Sequence, residues 1–267
     1  MRLVVLGDSH VAALAQGHQK LGGKPPSAFA DGITFLKLFD GPDSIRPFFR
    51  AHEDHIAFID EKAAALVREG LGRPTLAGPD PDTVFAFCLG VMTTLIVRLP
   101  DWRRPHPPAD PDSFLPHAPA GAAAYTRDKG RLRRLVSEGV VRAITLHHHR
   151  HALAFAAEAR RLGLKHLIVS SPPLRHDERA MVKFEASPLV IAEVDRIARA
   201  AMVEAFTQNG TPVALPPDEV YQDGDRSRFL RADLRRIAGN DSHHGSPLFG
   251  ALMLKQVLKQ AKRVARG

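Results

Sequence analysis

Two short runs at opposite ends of the chain hold the residues best suited to covalent chemistry. Near the start stands Gly7-Asp8-Ser9-His10, and near the end Asp241-Ser242-His243-His244. A serine hydroxyl becomes a nucleophile when an imidazole takes its proton and a carboxylate holds that imidazole in the right tautomer. An aspartate and a histidine three residues apart in one turn can face the same point. Each run also has a plainer reading. Asp8 and Ser9 are residue types that start helices, and an Asp-Ser-His turn can cap the helix that follows it.

The elements around these runs decide whether they can be exposed together. Residues 3–6 are a short apolar run with two valines, which reads as a buried strand. Gly7 breaks it, and residues 11–21 are helical in composition, with Ala12, Ala13, Leu14 and Ala15. Ser9 is therefore expected at a strand-to-helix turn. Its hydroxyl would leave the carboxyl end of a sheet, and its N–H would be one of the unpaired donors of a helix start. An anionic intermediate needs such a donor. At the other end, an amphipathic basic helix is expected over residues 248–264.

Together the two motifs resemble the SGNH, or GDSL-like, hydrolase family. The match consists of Gly7-Asp8-Ser9-His10, Asp241-Ser242-His243-His244 and the aromatic-glycine pair Phe249-Gly250. The resemblance implies a three-layer α/β/α, flavodoxin-like domain with a central, mostly parallel five-stranded sheet, covering essentially the whole chain, 1–267. It implies Ser9 as nucleophile, His244 as base and Asp241 as the carboxylate behind it. His244 is preferred to His243 because the family's aspartate precedes its histidine by three. The oxyanion hole would use the N–H groups of Ser9, Gly41 and Gly90. Asp8, His10, Met92, Thr93 and Trp102 would border the substrate, a small ester or an O-acylated carbohydrate. No cofactor and no metal is implied.

One position departs from the family. Two residues after the glycine at Gly90 the family has an asparagine that donates to the oxyanion, and this chain has Met92. A thioether cannot donate a hydrogen bond. Losing one such donor costs roughly 3 kcal/mol of transition-state stabilisation. Thr93, Thr94 or a histidine from elsewhere could replace it. The alternative is a weakened relative that binds a carbohydrate or another ligand without turnover. Acyl transfer would pass through the same acyl-enzyme and stays open.

Further strands are expected at 33–39, 83–89, 165–171 and 211–215, with the third, 83–89, central. Pro172-Pro173 end the fourth. Residues 45–70 read as mostly helical or irregular, 121–163 as helical with a break near Gly139, and 186–209 as a long amphipathic helix. Residues 99–120 are rich in proline and carry Trp102, so they read as a substrate-determining insertion. His52 and His55, and His147 and His151, have spacings that could serve a metal, but exposed polar faces explain them equally.

Composition narrows the classes. The 267 residues carry a net charge of +8 but only 6% aromatics, too few for a stacking platform, so nucleic acid is not expected as a partner. No apolar run approaches the roughly 18 residues of a membrane span. The single cysteine, Cys88, excludes an internal disulfide and reads as a small core residue. With a strand already at residue 3 there is no room for a signal peptide, and a cytoplasmic location is expected.

Overall fold

The computed structural model describes residues 1–91, 93–97, 137–175, 188–222, 229–236 and 244–266. In chain order its elements are β1 (Arg2–Gly7), α1 (Val11–Lys20), β2 (Ile33–Lys37), β3 (Phe49–Ala51), β4 (His55–Phe58), α2 (Glu61–Leu71), β5 (Thr75–Ala77), β6 (Thr83–Cys88), α3 (Thr94–Val97), α4 (Glu138–His148), α5 (Arg150–Arg161), β7 (His166–Val169), α6 (Pro188–Gln208), β8 (Val213–Ala214) and α7 (Pro247–Arg266). Five of the strands form one sheet in the order β2-β1-β6-β7-β8, and every neighbouring pair is parallel. The expected five strands are all present, and β6 is central. Parallel neighbours require crossovers, and the crossovers lay helices over both faces.

The pleat sends alternate residues into different layers. Leu3, Val5, Val84, Ala86 and Cys88 face α1 and α7, where Leu14, Phe249, Leu254 and Val257 meet them. Val4, Leu6, Phe85 and Phe87 face the opposite layer, where Phe155 of α5 and Met202 and Phe206 of α6 cover them. All these side chains are 2% exposed or less. A strand buried on both faces has no need of polar alternation, which explains why residues 3–6 and 84–88 are continuously apolar. The result is a three-layer α/β/α architecture.

The register brings the site to one edge. Gly7 stands opposite Lys37 on β2 and opposite Cys88 on β6. The carboxyl ends of these three strands are therefore level, and the segments leaving them start side by side.

The structure corrects the sequence reading in three places. Residues 45–70 hold β3 and β4 as well as α2, and β3-β4-β5 make a small antiparallel sheet. Strands of three and four residues are too short to display a period of two. Within its described part the 121–163 helical region has a break that the sequence reading did not anticipate, at His149 between α4 and α5. The Ser137 side chain accepts from the Val140 N–H and caps α4, so Gly139 lies in its first turn. Third, His147 and His151 stand on different helices, so the helical i, i+4 spacing that suggested a metal pair does not exist. The proline-rich insertion at 99–120, with Trp102, lies outside the described residues.

Candidate active site

The turn after β1 is built by one close approach. Gly7 has φ +145°, and a Cβ there would lie 2.2 Å from the Cys88 carbonyl oxygen. Only glycine permits β1 and β6 to come this close at their carboxyl ends. The Asp8 N–H then donates to the Cys88 carbonyl at 3.0 Å. The Asp8 carboxyl folds back to accept from the His10 N–H at 2.9 Å, while the Asp8 carbonyl accepts from the Val11 N–H at 3.1 Å. Asp8 thus shapes the turn from beneath, at 1% exposure. Burial pushes its carboxyl up to about 7, against the pull of the His10 N–H and the His244 charge. Ser9, between these two buried residues, remains partly exposed.

His244 reaches Ser9 from the far end of the sequence. Its Nε2 lies 2.8 Å from Ser9 Oγ. With the imidazole proton on Nδ1, Nε2 accepts the serine proton, which is the arrangement a general base requires. The His10 ring stands edge-on to the His244 ring, centroids 5.3 Å apart and planes at 76°. His10 is buried, so it packs against the imidazole. Asp241, expected behind His244, lies outside the described residues.

The expected oxyanion donors gather at the same edge. Gly41 opens the 3-10 turn Gly41–Ile45 after β2, and its carbonyl accepts from the Ser44 hydroxyl at 2.7 Å. Gly90 follows β6 with φ +82°, and a Cβ there would lie 2.7 Å from Phe206 and 3.0 Å from Ala152. Among the described residues no hydrogen bond uses the backbone N–H of Ser9, Gly41 or Gly90.

The segment after Gly90 is tied down by a polar network that sequence reasoning missed. Thr93 donates its hydroxyl proton to Asp195 on α6. Arg199, one turn further along α6, pairs with Asp195 at 3.2 Å and donates to Thr93 Oγ1 at 3.4 Å. The same guanidinium donates to Ser170 Oγ at 2.6 Å and to the Pro172 carbonyl at 3.2 Å, both just beyond β7. The exits of β6 and β7 are thereby joined through α6. Thr93 is 2% exposed and its only proton is already given away. The available signal was the i, i+4 pair Asp195 and Arg199 on a helix whose apolar stripe encloses both. Met92 lies outside the described residues.

His52 and His55 stack at 4.3 Å in the hairpin between β3 and β4, and His55 Nδ1 lies 2.7 Å from Asp54 Oδ1. Among the described residues no group of three potential ligands could hold a metal ion. No helix among them is long and apolar enough to cross a membrane. Cys88 is buried, as expected of a core residue, and burial pushes its thiol well up.

No protein-family model matches the chain, and no curated protein matches it in sequence. Among solved structures it is similar to a GDSL-like lipase from Bacteroides thetaiotaomicron, at 11% identity over 98% of this chain and 88% of the other, with a TM-score of 0.48. It is similar to an acetyl xylan esterase at 9% identity over 97% and 99% of the two chains, TM-score 0.44. It is also similar to the lipase/acylhydrolase from Enterococcus faecalis, at 12% identity over 98% and 97%, TM-score 0.39.

Proposed function

We propose that the chain is a serine hydrolase that cleaves a carboxylic ester, with a small ester or an O-acylated carbohydrate as substrate. The observation that carries this reading is the 2.8 Å contact between Ser9 Oγ and His244 Nε2, made between residues 235 positions apart. Ser9 attacks the ester carbonyl and passes its proton to Nε2. The negative charge that develops on the carbonyl oxygen is met by the N–H groups of Ser9, Gly41 and Gly90. Collapse of the tetrahedral intermediate breaks the C–O bond, and His244 returns its proton to the departing alcohol. Water then attacks the acyl-serine by the same route in reverse. Asp241 serves as the carboxylate that holds His244 in the Nδ1-protonated tautomer.

A second reading, ligand binding with little turnover, draws on Met92 and Thr93. Neither side chain is a free donor: one is a thioether, and the other has spent its proton on Asp195. The oxyanion would then rely on backbone donors alone. Assays of wild type and Ser9→Ala against short-chain p-nitrophenyl esters and O-acetylated sugars separate the two. Hydrolysis by wild type alone supports the ester hydrolase. Equal, background rates for both favour binding without turnover.

A further inference from the structure

Arg175 stands immediately after Pro172-Pro173-Leu174, on the segment leaving β7 at the same sheet edge as Ser9. It is only 5% exposed, an unusual state for arginine in a connecting segment. Its Nη1 donates to the Arg236 carbonyl at 3.0 Å and to the His244 carbonyl at 3.4 Å. These two carbonyls belong to one small ladder. The Arg236 N–H donates to the same His244 carbonyl at 3.2 Å, Arg235 bridges Gly245, and the Ser246 N–H donates to the Leu234 carbonyl at 2.7 Å. The Leu230 N–H also anchors the Leu174 carbonyl at 2.7 Å. The sequence between the two arms of the ladder contains Asp241.

We infer that Arg175 is a positioning residue for His244, clamping the mouth of the segment that carries both Asp241 and the imidazole. This inference rests on the reading of Ser9 and His244 as nucleophile and base. The backbone carbonyl of His244 accepts from its ladder partner Arg236 and from Arg175. Removing the second frees the peptide plane that sets where the imidazole points. A buried guanidinium is costly unless its N–H groups are used, and these two carbonyls take up Nη1. The reach matters because an error of about 1 Å in a reacting group costs on the order of 100-fold in rate.

The test compares wild type, Arg175→Met and Arg175→Lys in two readouts. One is the rate at which a fluorophosphonate labels Ser9. The other is the ¹⁵N spectrum of the His244 imidazole, assigned with His244→Gln. Wild type should show a single Nδ1-protonated tautomer. Arg175→Met should lose it and label on the order of 100-fold more slowly. Arg175→Lys should recover most of both, because a single nitrogen serves the two carbonyls. A purely packing role gives the reverse ranking, since Met fills a buried site better than a lysine ammonium does. If Arg175→Met does not fold, Arg175→Gln takes its place; its amide is too short to hold both carbonyls, and the same losses are expected. A Met or Gln variant that matches wild type, or a Lys variant no better than it, overturns the inference. If wild type labels no faster than Ser9→Ala, the hydrolase reading falls, and the imidazole spectrum alone decides the positioning role.

Discussion

Gly17 on α1 and Gly250 on α7 meet backbone to backbone. A Cβ on Gly17 would lie 2.2 Å from the Gly250 carbonyl carbon, and one on Gly250 would lie 1.8 Å from the Ala13 carbonyl oxygen. Ser9 lies just before α1, and the segment from His244 leads into α7. The two helices that meet here thus follow directly on the segments carrying hydroxyl and imidazole, and their contact is expected to help set the Ser9–His244 distance. Phe249, 2% exposed, fills the layer beside it.

Gly250→Ala should push the two helices apart. Overpacking of this kind costs about 2 kcal/mol. The variant should show a lower urea midpoint and slower labelling of Ser9 than wild type. Unchanged stability together with unchanged labelling would mean that the helix contact does not set the Ser9–His244 distance.

Asp8 makes stability depend on pH. Its folded carboxyl, at about 7, lies above its ordinary value of 3.8, so the folded chain holds this proton more tightly than the unfolded chain. The stabilisation is fully present below about pH 4 and is lost as pH rises through 7, roughly 4 kcal/mol in all. Asp8→Asn keeps the acceptor for the His10 N–H and removes the titration. Relative to this variant, wild type should lose stability steadily between pH 4 and 8 in urea unfolding. A constant difference across that range would contradict the buried, raised carboxyl.

Thr93 separates a structural role from a catalytic one. Thr93→Val removes the hydroxyl that Asp195 and Arg199 share and should cost about 1–3 kcal/mol of stability. Thr93→Ser should retain both stability and activity. If Thr93 instead donated to the oxyanion, Thr93→Val would lower kcat by a factor on the order of 100 and leave the urea midpoint unchanged.

The first turn and the sheet were legible because continuous apolar runs ending in glycine leave few alternatives. Residues 3–6 and 84–89 have no polar face to expose, and Gly7 and Gly90 follow them. The β3-β4-β5 sheet was not legible, since its strands are too short for any periodicity to appear. The break at His149 was hidden because no glycine or proline stands there to mark it. Arg175 was invisible for a different reason. A lone arginine after two prolines reads as a surface cation until the fold lays two backbone carbonyls against it. Arg199 was hidden in the same way by the helical stripe around it, although its i, i+4 partner Asp195 could have been noticed.

Met92→Asn should raise activity, by up to about 100-fold in kcat, if an amide at this position donates to the oxyanion as the resemblance to GDSL-like hydrolases implies. The comparison is made at saturating substrate in an ester assay. No gain would indicate that the backbone donors of Ser9, Gly41 and Gly90 already satisfy the oxyanion.

The central claim is that Ser9 is an activated nucleophile. Wild type and Ser9→Ala are incubated with a fluorophosphonate and read by intact mass. The account predicts a single adduct on wild type and none on Ser9→Ala. A folded wild type that gains no adduct, or a Ser9→Ala protein that gains the same one, would contradict it.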